Sequence, residues 1–169
     1  QGMVATLQQM VQCYLEQGKT AQARSSLNHL KDRSERLGRP HEKAVCKLFE
    51  GIVLRHEGES EKAEDLLNES LQLLSREPGF FTVLCQMELA QCQFELGCKE
   101  KAIPTFHSAI STARQLKHHD IEKRALDLLS KVDRGEWAKA LRSGGGPIGE
   151  RSTSRAILSL VCCELRNTG

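Results

Sequence analysis

The sequence predicts an all-α fold, built as an α-solenoid of antiparallel helix hairpins. Three observations predict it: glycines recur at near-constant spacing, apolar residues recur every three or four positions, and no useful stretch alternates with period two. The recurring glycines are Gly18, Gly58, Gly97 and Gly135, separated by 40, 39 and 38 residues. Helices on both sides of regularly spaced turns therefore predict about three and a half repeats, followed by a C-terminal helix.

A small residue follows each of these turns. Five residues after each glycine stands an alanine, and four residues beyond the first three alanines stands a large apolar residue. Because helices joined by a tight turn cross closely, the small side chain lets the backbones approach and the large one fills the widening gap. Each hairpin leaves an apolar face that the next hairpin covers. The pairs are Ala23 and Leu27, Ala63 and Leu67, and Ala102 and Phe106, with Ala140 after the fourth glycine.

The predicted repeats follow in order along residues 1–142. Gly38-Arg39-Pro40 separates the first repeat from the second, and Pro78-Gly79 separates the second from the third. Pro104 lies a few residues into the expected second helix of the third repeat, so that helix either starts late or is kinked there. The predicted repeat ranges are 3–37, 41–77, 80–117 and 120–142.

Glycines and a proline cut the fourth repeat short. The linker 143–149 contains three consecutive glycines and Pro147, which a helix continues through only at high cost. Residues 150–169 then carry an apolar segment, predicted to be a helix with a cap among residues 152–154. Three interpretations of this tail stay open: it caps the array, it docks in the concave groove, or it is a partner peptide fused through an engineered tether. Its docking residues are Ile157, Leu158, Leu160, Val161 and Leu165.

Composition argues against several classes of protein. The 24 Lys+Arg and 22 Asp+Glu residues leave a net charge of +2, which does not favour a nucleic-acid-binding protein. No apolar run approaches the ~18 residues of a membrane span. Seven cysteines, an odd number, lie mostly among apolar residues, which predicts free thiols in a reducing compartment, the cytoplasm or nucleus. Zinc spacings and enzyme motifs are missing, so we expect no catalysis, cofactor or metal.

The glycine turns and the alanine-to-large pairing resemble tetratricopeptide repeats. The resemblance covers about residues 3–142, and the period near 40 is similar to the longer-repeat branch of the family rather than to the usual ~34. Lys47 and Gln86 stand where the family has a bulky residue, and the Leu-Gly pair of the first helix is met only in part. The resemblance implies a right-handed superhelix and an adaptor that binds another protein, in the cell interior and within a larger complex.

The resemblance also implies that the first helix of each repeat lines a concave groove. The mapped lining mixes apolar residues with glutamines and a few charges, which suits a short amphipathic segment of a partner. Lysine and asparagine are absent from it, so the family's clamp for a C-terminal carboxylate is not expected. Two alternatives stay open: the apolar members form core between helices, or the chain is a structural or oligomerisation segment whose tail is the solenoid cap. The mapped groove residues are Gln8, Gln12, Leu15, Glu16, Val45, Leu48, Ile52, Arg55, His56, Leu84, Met87, Gln91, Phe94 and Glu95.

Overall fold

The structure, a computed structural model, describes residues 2–76 and 78–133, which form helices joined by short turns. Seven α-helices follow one another there, and no strand occurs among these residues. The prediction of an all-α fold is therefore confirmed. The helices are α1 (Gly2–Glu16), α2 (Thr20–Leu37), α3 (Pro40–His56), α4 (Ser60–Leu74), α5 (Phe80–Glu95), α6 (Lys99–Gln115) and α7 (His119–Asp133).

The helices pack in the order in which they occur. Helices α1 and α2, α3 and α4, and α5 and α6 form hairpins, and each consecutive pair across a repeat boundary also packs together. The odd-numbered helices contact one another in sequence, α1 with α3, α3 with α5 and α5 with α7, whereas contacts between even-numbered helices are sparser in the described chain. The array therefore curves with α1, α3, α5 and α7 on its concave side, and we call these four helices the inner layer.

The three glycine turns share one hydrogen-bonded geometry. Gly18, Gly58 and Gly97 have φ angles of 69°, 85° and 78°, a left-handed conformation that glycine adopts without a Cβ clash. In each turn the residue that follows the glycine donates its backbone N–H to the carbonyl of the residue five positions before it in the chain. This hydrogen bond is the one that closes a Schellman motif. These bonds join Lys19 to Tyr14 at 2.8 Å, Glu59 to Leu54 at 2.9 Å and Cys98 to Gln93 at 2.8 Å.

The α6–α7 connection makes the same closure without glycine. Lys117 has a φ of 59°, and the N–H of His118 donates to the carbonyl of Ala113 at 2.9 Å. A search for glycine spacing cannot find this turn. The predicted turn at Gly135, the linker 143–149 and the tail 150–169 lie outside the described residues.

Helix α6 runs through its proline. It begins at Lys99 and continues past Pro104 to Gln115, so the prediction that it starts late is wrong. The alternative, a kink of the helix at Pro104, stays a prediction. Proline has no N–H, which leaves the carbonyl four residues earlier without its usual donor. The hydroxyl of Thr105 donates to the carbonyl of Lys101 at 2.9 Å and adds a local bond in this turn.

The small and large residues after each turn are all interior. Ala23, Ala63 and Ala102 are completely buried, and their larger partners are at most 1% exposed. Helix α3 lies close to α4 at Gly51, where an added Cβ would lie 2.8 Å from Cγ of Leu67. A side chain at position 51 would therefore force these two helices apart or displace Leu67.

We expect Gly51→Ala to lower the free energy of unfolding by about 1–3 kcal/mol, because overpacking outweighs the gain in helix propensity of about 1 kcal/mol. Urea unfolding measures the change. Asn68→Ala, at an exposed position of α4, is the control and should be neutral or slightly stabilising. An increase in stability for Gly51→Ala that equals the propensity gain would contradict the close approach of α3 and α4.

Candidate functional site

Large polar side chains are buried on the inner layer. Within residues 2–76 and 78–133, every buried glutamine, glutamate and arginine lies on α1, α3 or α5, whereas α2 and α4 bury only serines among their polar residues. Buried amides and charges are costly unless they are paired, so their confinement to one layer distinguishes it from ordinary core. These residues are Gln8, Gln12, Arg55, Gln86, Glu88, Gln91 and Gln93.

An ion cluster joins α3 to α5. The Nε of Arg55 donates to Oε2 of Glu88 at 3.0 Å, and its Nη1 donates to Oε1 of Glu95 at 2.9 Å. The hydroxyl of Ser60 on α4 donates to the other oxygen of Glu95 at 2.9 Å. The side chains of Arg55 and Glu88 are 1% and 4% exposed, and that of Glu95 is 15% exposed. We call Arg55, Glu88 and Glu95 the ion cluster.

Burial governs the protonation of this region. Desolvation raises the pKa of Glu88 above the ordinary carboxyl value, against the opposing attraction of the Arg55 guanidinium. Desolvation, together with the positive charge of Arg55, lowers the pKa of His56 to about 4, and the Glu95 carboxylate only partly offsets this. His56 is therefore neutral near pH 7, near the Glu95 carboxylate that pairs with Arg55.

The lowered pKa of His56 predicts a loss of stability in acid. The unfolded chain binds a proton near pH 6.5, whereas the folded chain does so only near pH 4, so stability is complete above pH 6.5 and falls as the pH drops towards 4. At about 1.4 kcal/mol per pH unit, His56 contributes at most about 3 kcal/mol to this fall. His56→Gln should make the decline shallower in urea unfolding between pH 7 and 4, and exposed His107→Gln is the control. If the free energy of unfolding falls equally steeply with pH in the two variants, His56 is not the source of the loss of stability in acid.

The structure buries most of the mapped groove residues. Glu16, His56, Phe94 and Glu95 are half-buried, and the others are buried. The buried apolar members belong to the continuous hydrophobic core of the described chain, and their contact with a ligand stays a prediction. They are Leu15, Val45, Leu48, Ile52, Leu84 and Met87.

Sequence reasoning found part of the ion cluster. It placed Arg55 and Glu95 on the groove without predicting that they pair, and it missed Glu88 and Ser60. One signal was available: Glu88 lies seven residues before Glu95, on the same helical face, with Met87 and Leu89 as apolar neighbours. A carboxylate in such a setting requires a buried cation.

An open pocket adjoins the cluster at the α3–α4 turn. Its volume is about 400 Å³. The Glu95 carboxylate is shared between this pocket and the ion cluster. Three carboxylates line the pocket, but Lys62 pairs with Glu59 and Arg55 pairs with Glu95, so one net negative charge remains to favour a cationic group at the edge of the inner layer. Its lining residues are Gly58, Glu59, Ser60, Glu61, Lys62, Glu95 and Leu96.

The described cysteines are free thiols. Burial raises the pKa of Cys46 to about 11 and that of Cys85 to about 12, so both remain protonated and pack as small apolar side chains. The Cys85 thiol donates to the carbonyl of Leu67 at 3.2 Å. Cys13, in contrast, is exposed on α1. The vicinal pair at 162–163 lies outside the described residues.

Two further properties concern the described part of the chain as a whole. No three His, Cys, Asp or Glu side chains come together there in a way that could hold a metal ion. None of α1–α7 combines the length and the apolar character that crossing a bilayer requires.

Stacked helix hairpins with a distinct inner layer define the chain as an α-solenoid of helical repeats. Residues 3–76, which include the first two hairpins, match the family model of the tetratricopeptide repeat. This match confirms the predicted TPR-like helical repeat over residues 3–76. No curated protein matches the chain. Tetratricopeptide repeats generally mediate protein–protein interaction, and proteins of this family are typically non-enzymatic scaffolds.

Proposed function

We propose that this chain is a protein-interaction adaptor whose inner layer holds a short amphipathic segment of a partner protein. The observation that carries the proposal is the confinement of buried glutamine, glutamate and arginine to α1, α3 and α5. A layer that served only as core would be more stable with apolar residues of similar volume, because buried polar groups need compensating bonds. Gln86 and Gln93 bond to residues of α4 and α6, and Arg55 bonds to Glu88, so the groups of this layer best suited to a bound peptide are half-buried ones such as the Glu16 carboxylate.

The composition of the layer supports a particular kind of ligand. Half-buried Phe94 supplies apolar contact area at the end of α5, beside the half-buried carboxylate of Glu95. A peptide with apolar residues at i, i+3, i+4 and i+7 matches such a surface. At the edge, the carboxylates around the α3–α4 turn favour a basic side chain of the partner.

The proposed setting is a larger complex in a reducing compartment, the cytoplasm or the nucleus. Free thiols that pack as apolar side chains support a reducing compartment. We also propose that the chain acts without catalysis, in keeping with the usual role of its family.

A displayed library of random helical peptides tests this proposal. The library is selected on the intact chain and, in parallel, on Leu158→Glu/Leu165→Glu, which removes the apolar face of the tail. We expect enriched peptides with apolar residues at helical spacing on at least one of these targets. Failure to enrich any peptide family on either target would contradict the proposal.

Matched variants then locate the binding surface on whichever target enriched the peptides. Phe94→Ala and Glu16→Lys alter half-buried positions of the inner layer, whereas Ile103→Ala and Glu35→Lys make the same changes on the even-numbered helices α6 and α2. Isothermal calorimetry should show affinity reduced by about tenfold or more for the inner-layer variants, as for a truncated contact residue, and unchanged for the controls. The reverse pattern would place binding on the convex side and contradict the proposal.

A further inference from the structure

One face of α1 is exposed, although α3 and α5 use the same face to pack against the preceding hairpin. Four residues of α1 form a stripe at positions i, i+3, i+7 and i+10, and all four are exposed. Counting back from Gly18, Gly58 and Gly97 gives the position of α3 and of α5 that corresponds to each of them. We call these four residues the end stripe: Met3, Thr6, Met10 and Cys13.

The corresponding residues of α5 are bonded to the hairpin before it. The hydroxyl of Thr82 and the thiol of Cys85 donate to backbone carbonyls of α4, at 3.3 and 3.2 Å. These two residues correspond to Met3 and Thr6 of the end stripe. The end stripe is therefore the kind of surface on which one hairpin stacks on another, and on α1 it is exposed.

The end stripe differs in charge from the covered surface of α3. Glu50 of α3 pairs with Lys31 of α2 at the boundary between the first two hairpins. Met10 stands at the position of Glu50, and residues 2–15 contain no charged side chain. A helix that presented a cation here, as α2 presents Lys31, would desolvate that cation without a partner. The end stripe therefore favours an uncharged surface.

The order of large and small side chains makes the end stripe complementary to itself. Two copies of α1 can lie antiparallel about a two-fold axis midway between Thr6 and Met10, which is also midway between Met3 and Cys13. Each methionine then faces a smaller residue of the other copy: Met3 faces Cys13, and Met10 faces Thr6. Large side chains that fill the space beside small ones at this spacing are typical of knobs-into-holes packing.

We propose that this chain self-associates through the end stripe, with the α1 helices of two copies packed antiparallel. Flexible methionine side chains adapt to such a surface, and identical uncharged faces do not repel each other. The other large apolar residues exposed in the described chain, Leu37 and Leu126, stand beside Arg36 and Asp127. The proposal does not rest on the proposed function, because the end stripe and the mapped groove share no residue.

Sedimentation velocity of the full chain under reducing conditions, over about 1–500 μM, tests the association. One pair of helices is a small interface, so we expect monomer and dimer in exchange with a Kd in the micromolar range. Met10→Glu should weaken dimerisation at least about tenfold, because each copy brings a charge into an apolar contact.

Leu37→Glu is the matched control, since Met10 and Leu37 are 39% and 38% exposed. It should change the Kd by less than about twofold, as a surface substitution away from the contact. A chain that stays monomeric at every concentration would overturn the proposal. Equal weakening by Met10→Glu and Leu37→Glu would overturn it as well.

Disulfide trapping tests the antiparallel register. In Met3→Cys, mild oxidation with copper phenanthroline should link the introduced thiol to Cys13 of the other copy, because these positions face each other. Mass spectrometry identifies the link, and mixed isotope-labelled copies show that it joins two molecules. Without the substitution, Cys13 should not link to Cys13 of the other copy, since antiparallel packing separates them by about 15 Å along the helix.

Two trapping results would overturn the proposal. A link between the Cys13 residues of two copies would mean that the helices pack in parallel. A link from Met3→Cys to Cys162 or Cys163 of the same molecule would mean that the chain's own C-terminal segment covers the end stripe.

Discussion

Arg55→Met should lower the free energy of unfolding by about 3–5 kcal/mol, because it leaves buried carboxyl groups without their cation. Methionine is similar to arginine in length and apolar stem, so the change removes charge and hydrogen bonds rather than volume. Glu88 is 4% exposed and accepts a hydrogen bond from Arg55 at 3.0 Å, so its buried carboxyl group accounts for most of the expected loss of stability. Urea unfolding at pH 7 measures the difference.

Arg24→Met is the matched control. Arg24 also pairs with a glutamate, through an Nε–Oε1 distance of 2.8 Å to Glu57, but its side chain is 38% exposed. An exposed pair of this kind contributes at most about 1 kcal/mol. Similar small losses for the two arginine variants would mean that the ion cluster does not hold α3 against α5.

The Arg55 variant should also change with pH in a defined direction. Without the guanidinium, the pKa of Glu88 rises further above the ordinary carboxyl value, because burial is no longer opposed. A carboxyl group with a raised folded-state pKa destabilises the fold increasingly as the pH rises through that range. The difference between Arg55→Met and the parent should therefore narrow as the pH falls, and Glu88→Gln added to Arg55→Met should recover part of the loss at pH 7.

Leu67→Ala should cost about 2–5 kcal/mol, the usual range for a fully buried leucine whose site cannot collapse. Leu67 is completely buried, fills the gap beyond Ala63 and lies against Gly51 of α3. Leu66→Ala is the control on the same helix, and its half-buried side chain should cost less. Thermal or urea unfolding with a two-state analysis provides the comparison.

A double-mutant cycle links this residue to the close approach of the helices. Truncating Leu67 makes room for a methyl group at position 51, so Gly51→Ala should become neutral or stabilising in the Leu67→Ala background. The expected coupling is at least about 1 kcal/mol, as for residues in direct contact. Additivity of the two changes would contradict the packing of Leu67 on Gly51.

Local patterns explain how much of the fold could be predicted from the sequence. Gly18, Gly58 and Gly97 mark turns because the left-handed residue of a Schellman closure favours glycine. The alanine-to-large pairs mark helix crossings for a steric reason that also depends only on neighbouring residues. Lys117 shows the limit: the sequence predicts a break between residues 117 and 120, but no glycine marks the residue that adopts the left-handed conformation.

The candidate site depends on longer-range geometry. Arg55 and Glu88 are 33 residues apart, and their contact requires the rotation that stacks one hairpin on the next. The family resemblance assigned Leu48 and Met87 to the inner face of their helices but could not give their burial, which depends on what covers that face. Glu substitutions at these positions would therefore test the fold rather than binding, and half-buried Phe94 and Glu16 are better probes.

The most direct test of a ligand-holding inner layer is photocrosslinking from a single position. p-Benzoylphenylalanine replaces Phe94 on α5 or, as the matched comparison, Ile103 on α6, and the protein is irradiated with a labelled peptide selected from the library. We predict a labelled product from position 94 and none from position 103, with unlabelled peptide abolishing it. Labelling from position 103 alone would contradict a binding site on the concave side.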